Sequence, residues 1–191
     1  IADKLIEMVV EHTRGYVPAN PLDNECNMGA LVDEQQVRSV LGYIESGNAE
    51  GAGCAVGGAR ALEGTGGCYV APTVFAKATP EMKIAREEIF GPVLSVIRFK
   101  TEAEAIAIAN NSPYGLQASV WSANLSRAHR VARALRAGTV HVNQYDDDDN
   151  LTRKTLLAAE NYTQYTCDAE NRLVKVEEFA TGNPTAITTS S

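Results

Sequence analysis

Apolar residues recur at helical spacing in four stretches of this 191-residue chain. Leu5, Met8 and Val9 share one face of residues 2–14, with Gly15 as the stop. Asp33 is placed to open a second helix, with Val37, Val40, Leu41 and Ile44 as its stripe and Gly47 as its end. Thr101 to Glu104 has the capping-box pattern before Ala105, Ile106 and Ile108; hydroxyl and carboxylate can each satisfy an orphan amide. Asn124 is expected to cap a fourth helix, LSRAHRVARAL, closed by Gly138. Between these lie β-branched apolar runs at Tyr69–Phe75, Val93–Phe99, Ala118–Trp121 and Thr139–Asn143. Strands alternating with helices through short connections predict an α/β fold, a mostly parallel sheet with flanking helices and right-handed crossovers.

Composition narrows the class. With 17 Lys+Arg against 24 Asp+Glu the net charge is −7, which argues against a nucleic-acid groove. No apolar run approaches the ~20 residues of a membrane span. The first residues, IADKLIEMVVEHTRG, lack an initiator Met and read as a charged helix rather than a signal peptide, so a longer parent is expected. Cys26, Cys54, Cys68 and Cys167 form no CxxC pair and have no histidine at ligand spacing. Neither a zinc site nor a disulfide framework is expected, no metal is predicted, and the cytoplasm is the default compartment.

The charge is unevenly spread. Residues 1–144 carry 13 basic and 15 acidic side chains, whereas residues 145–191 carry 4 and 9 in a segment rich in Thr, Asn, Asp and Glu. A boundary is therefore expected near 144–150. Gly51–Gly67 is glycine-rich but offers no GxGxxG between a strand and a helix, so a dinucleotide fingerprint is absent.

The most specific segment is MKIAREEIFGPVL at residues 82–94. Two adjacent carboxylates precede Ile-Phe-Gly-Pro, and the Gly-Pro pair fixes the start of the next strand. Glu88 and Phe90 lie two apart and in extended geometry would share a face. A carboxylate beside an aromatic plate can take the hydroxyls of a ribose and pack against a planar ring. From the chemistry alone, a surface Glu pair solvating a loop and a Phe in the core is the commoner source of such a pattern.

PLDNECNMGALVDEQQVRSVLGYIESG, YVAPTVF, MKIAREEIFGPVLSVIRF, ANNSPYGLQASVW and LSRAHRVARALRAGTVHVN occur in this order. Together they resemble the C-terminal part of the catalytic domain of NAD(P)-dependent aldehyde dehydrogenases, from Ile1 to about Tyr145. The resemblance implies oxidation of a small-molecule aldehyde to a carboxylic acid with NAD or NADP. In that family a cysteine thiolate attacks the aldehyde and a glutamate base activates the water that releases the acid. It also implies that Glu88 binds the nicotinamide ribose, that Phe90 contacts the nicotinamide, and that Gln36 approaches the cofactor ribose. Some members carry Lys three residues after that Gln, where this chain has Ser39.

The same resemblance places the nucleophile, the base and the cofactor-binding domain upstream of Ile1, so no catalytic residue is assigned within the chain. None of the four cysteines has a neighbouring motif that would lower its pKa. His12 and His129 fall at solvent-facing helical positions and His141 in the strand TVHVN, without the nucleophile and acid that a histidine base requires. The chain by itself is expected to be inactive. The resemblance implies a homo-oligomer, but where the family would continue to its oligomerisation segment a divergent tail is expected from residue 146.

That tail, residues 146–191, is expected to be β-prone or disordered. It holds an echo at period 22, pairing Asp146 with Asp168 and Leu151 with Leu173. YDDDDNLTRKT and YTCDAENRLVKVE resemble the YD repeats of RHS-type surface and toxin-associated proteins, in which each unit is a short hairpin piece. A non-catalytic fusion or relic joined to such a module is the alternative reading. The acidic run Asp146–Asp149 is either a solvated loop or an entrance that favours cationic amino-aldehydes.

Overall fold

The computed structural model describes residues 1–24 and 26–143, together with the backbone of strands at 161–167, 173–180 and 183–187. The chain divides into two compact units, Ile1–Ser112 and Pro113–Ser191. It is α/β, as its pattern predicts, and the parallel strands occur as two separate pairs.

In the first unit, α1 (Ala2–Thr13) and α2 (Glu34–Ala49) precede a run of short strands. These are β1 (Cys54–Val56), β2 (Arg60–Ala61), β3 (Tyr69–Val70), β4 (Thr73–Ala78) and β5 (Val93–Ile97). A short 3-10 helix (Glu63–Thr65) follows β2, α3 (Lys83–Arg86) lies between β4 and β5, and α4 (Glu102–Asn110) follows β5. β4 pairs parallel with β5, Thr73 opposite Val93 and Phe75 opposite Ser95, and antiparallel with β1. β2 and β3 form an antiparallel pair.

The core is built where α2 meets this sheet. Asp33 caps α2, its carboxylate accepting from the Gln36 amide at 2.7 Å. Val37, Val40 and Ile44 then bury against Ala52, Val70, Phe75, Ala78, Ile84 and Ile89. Gly47 does not end α2, which runs on to Ala49. A Cβ at Gly47 would lie 2.9 Å from Phe75 Cζ and 3.0 Å from Ile84 Cδ1. This glycine is a packing contact, not a stop.

Other expectations need correction. In α1 it is Ile6 that is buried, while Leu5 and Met8 are 52% and 37% exposed. The expected strand Tyr69–Phe75 is two strands, because Pro72 has no amide to give a ladder. The glycine-rich stretch contains β1 and β2, which its composition concealed. Thr101 caps α4 as expected, but the Glu104 carboxylate accepts from the Lys100 amide rather than from that of Thr101.

The second unit opens with β6 (Gln117–Val120), α5 (Leu125–Ala134) and β7 (Thr139–Val142). β6 and β7 pair in parallel, and α5 is capped by Asn124, which accepts from Arg127 N at 2.9 Å. The helix ends at Ala134, before the predicted Leu135, and Gly138 instead donates to Gly115 O where the β6–β7 pair begins. β8 (Asn161–Cys167), β9 (Leu173–Ala180) and β10 (Asn183–Ile187) form an antiparallel meander with β9 central. The acidic run Asp146–Asp149 and both aspartates of the 22-residue echo lie outside the described residues, as does Leu151.

Candidate functional site

The parallel pairing of β4 with β5 requires a crossover, and that crossover carries the EEIFGP segment. Its end is held on several sides. Thr73 N donates to Pro92 O at 2.8 Å, and Val93 N donates to Gly91 O at 2.8 Å. Ile89 is buried in the core. Gly91 lies so close to α2 that a Cβ there would fall 2.5 Å from Val40 Cγ2. Glycine at 91 is therefore a steric requirement of α2 as well as the start of a strand.

Phe90 has φ +52°, in the left-handed region that a bulky L-residue occupies at a cost. The residue is 71% exposed. The expectation that Glu88 and Phe90 share a face through extended geometry fails for that reason: alternation every two residues requires extended backbone at both. The two side chains are nonetheless both exposed on the same short turn, with Ile89 turned inward between them.

The two carboxylates of the pair differ. Glu87 Oε2 accepts from Tyr43 Oη at 2.8 Å, and the Lys83 ammonium lies 4.7 Å from the centroid of the same tyrosine ring. Glu88 makes no hydrogen bond or ion pair to another described residue. Gln36 reaches the turn from α2. Its Nε2 donates to Ile89 O at 3.1 Å and to Phe90 O at 3.0 Å. The structure thus brings Gln36 and Phe90 together, with the glutamine amide directed at the backbone of the turn. Tyr43 escapes a motif reading, although it follows from α2 at i+7 from Gln36, while Val40 belongs to the predicted stripe.

The start of α2 also carries a bidentate ion pair. Arg60 Nη1 and Nη2 donate to Glu34 Oε1 and Oε2, both at 2.7 Å, and Nη2 also donates to Gly67 O at 3.2 Å. These bonds hold the Glu34 carboxyl below the usual carboxylate range and raise the Arg60 guanidinium above its own. The fork ties the start of α2 to the glycine-rich stretch.

The remaining titratable candidates lie apart from the turn. His12 is exposed and meets Tyr16 edge-on at 5.3 Å between centroids. His129 is exposed on α5, where Ser126, His129, Arg130, Arg133 and Ala134 line a shallow open depression. His141 is half-buried in β7. Cys26, half-buried, donates to Ala19 O and Met28 O; Cys54 is exposed; Cys68 is half-buried; all three are free thiols. Asn143, at the end of β7, has φ +49° and pairs reciprocally with the backbone of Ser122, accepting at 2.9 Å and donating at 3.0 Å.

The turn thus presents a Glu88 carboxylate with no partner among the described residues and an exposed Phe90, with Gln36 of the capped helix α2 behind it. The sequence model of the aldehyde dehydrogenase family matches residues 1–153. The chain belongs to that family and forms part of its domain. It is 46% identical over 146 residues to betaine aldehyde dehydrogenase of Cereibacter sphaeroides, a match covering 76% of this chain and 30% of that protein. The aldehyde dehydrogenase KauB of Pseudomonas aeruginosa superposes with a TM-score of 0.75 at 60% identity, covering 76% of this chain and 30% of its own. The P. syringae indole-3-acetaldehyde dehydrogenase AldA, solved with NAD+ and IAA, gives 0.75 at 57% identity with the same coverage. The chain spans about 30% of the length of these relatives. No helix among the described residues is long and apolar enough to cross a membrane.

Proposed function

We propose that residues 1 to about 145 are the cofactor-facing part of an enzyme that oxidises an aldehyde to a carboxylic acid with NAD or NADP. The observation that carries this reading is the Glu87–Pro92 turn, where the Glu88 carboxylate has no partner among the described residues and Phe90 is exposed. These groups fit a nicotinamide nucleoside. A carboxylate accepts two hydrogen bonds from vicinal hydroxyls, and an aromatic plate gives a planar ring an apolar wall. The nicotinamide, when bound, supplies the hydride acceptor. Glu88 fixes the ribose and Phe90 excludes water from one side of the ring; both tasks are positional.

The nucleophilic cysteine and the glutamate base belong, on this reading, to sequence outside residues 1–191, so the chain by itself is inactive. Three free thiols among the described residues support a reducing, cytoplasmic setting. An amino-aldehyde is the finer reading of the substrate, supported by the betaine aldehyde dehydrogenase relative; the acidic run Asp146–Asp149 is read first as a solvated loop. A second reading, in which the tail is a separate YD-like module, draws support from the β8–β9 hairpin: the phrase YTCDAENRLVKVE begins in one strand and ends in the next.

The test is Glu88→Gln in the full-length dehydrogenase containing this chain. Loss of charge-assisted hydrogen bonds to the ribose is expected to raise KM for the dinucleotide about 10- to 100-fold while leaving the aldehyde KM in place. An unchanged dinucleotide KM would discard the reading.

A further inference from the structure

The crossover that carries the turn contains α3, a helix of four residues with no cap from the Met82 side chain. A helix that short needs support from outside, and α2 supplies it at both ends. At the start, Glu50 Oε2 accepts from the Lys83 amide at 3.1 Å, and Ser46 Oγ donates to Glu50 Oε1 at 2.6 Å. At the other end Glu87 follows the last residue of α3, and its Oε2 accepts from Tyr43 Oη at 2.8 Å. The Tyr43 ring packs against the core, so the hydroxyl is offered from a fixed place. The Lys83 ammonium, 4.7 Å from the ring centroid, is drawn to the same ring and leaves the phenol a better donor.

Glu87 is extended, with φ −116° and ψ 148°. Successive side chains along an extended chain point to opposite sides, so binding Glu87 back to α2 turns the next side chain, Glu88, away from that helix. We propose that Tyr43 is a positioning residue: by holding Glu87 it determines that Glu88 is the carboxylate offered to the dinucleotide ribose. The proposal rests on the reading of this turn as the cofactor surface. Two adjacent glutamates are chemically equivalent, and the hydroxyl of Tyr43 is what makes them unequal.

Variants of the full-length dehydrogenase containing this chain test the assignment. Tyr43→Phe keeps the ring, its packing and the Lys83 contact and removes only the hydroxyl; Glu87→Ala removes the acceptor from an exposed position. Tyr43→Phe is expected to raise KM for NAD+ about 3- to 10-fold with the aldehyde KM unmoved, the loss of one hydrogen bond to a carboxylate that water partly replaces. In a Glu87→Ala background the same substitution should change the NAD+ KM no further, because the hydroxyl acts through that carboxylate.

An unmoved NAD+ KM in Tyr43→Phe overturns the proposal, whatever happens to its urea midpoint. An equal effect of Tyr43→Phe with and without Glu87 also overturns it, in favour of a direct contact between the phenol and the dinucleotide. Glu88→Gln keeps the two readings apart. If it raises the NAD+ KM while Tyr43→Phe does not, the cofactor surface stands and the positioning role falls. If Glu88→Gln leaves that KM unmoved, the reading of the site falls, and the positioning role with it.

Discussion

The α2–β4 region and the segment from Pro113 to Asn143 contain the same kinds of element, yet they bury very different amounts of apolar surface. In the first, Val37, Val40, Val70, Val74 and Phe75 are almost fully inaccessible. In the second, Ala128 alone among residues 113–143 is a buried hydrophobic residue, while Leu116 is 87% exposed and Trp121 and Tyr114 are about half exposed. Both have capped helices and parallel strand pairs, so secondary structure is not what separates them. The difference is layering. α2 closes against a three-stranded sheet and α3, whereas α5 meets two short strands. Local signals suffice to build elements; burial requires a second face.

The sharpest way to break this contrast is at the centre of the first region. Phe75→Ala in the full chain should destabilise it by about 3–5 kcal/mol, the usual cost of removing a buried ring, seen as a lower urea midpoint. A loss below about 1 kcal/mol, within the range of ordinary surface changes, would mean that the α2–β4 core does not hold the chain together. A smaller effect is expected from acid. Glu34 has its carboxyl held low by Arg60, so the pair's contribution is complete above the ordinary glutamate value of about 4.3 and is lost as pH falls through the depressed folded value. The urea midpoint of the parent should therefore exceed that of Glu34→Gln at pH 7 and converge on it below about pH 4, the glutamate range. A constant gap across that range would show that the fork is not what titrates. The smallest change belongs to the second region: Leu116→Ser should shift stability by no more than about 0.5 kcal/mol. A loss approaching that of Phe75→Ala would reveal a core around residue 116 that the contrast denies.

What the sequence made legible follows the same division. Asp33, Thr101 and Asn124 were readable as caps because a cap needs only its own helix. The α2 stripe was readable because Val37, Val40 and Ile44 repeat on one face. Gly47 was misread because a glycine that admits Phe75 and Ile84 is written with the same letter as one that ends a helix. Leu5 and Met8 have the spacing of a buried side of α1, but Ile6 is the residue that is buried. The site was partly legible. Glu88 and Phe90 stood out through the motif, yet the left-handed backbone at Phe90, the glutamine bonds that reach it and the steric demand of Val40 on Gly91 are long-range facts. Residues 36 and 90 are 54 positions apart, and nothing local to either announces the other.

The β6–β7 pair carries one more consequence. A two-stranded parallel ribbon has no interior strand, so along each outer border the backbone has no ladder partner among the described residues. Beside it stand Leu116 and Trp121, both apolar and accessible. Such a border accepts whatever extended chain arrives first, and at high concentration that chain is another copy of the same segment. Colloidal behaviour, rather than melting, is the property by which this half of the molecule would be noticed at the bench.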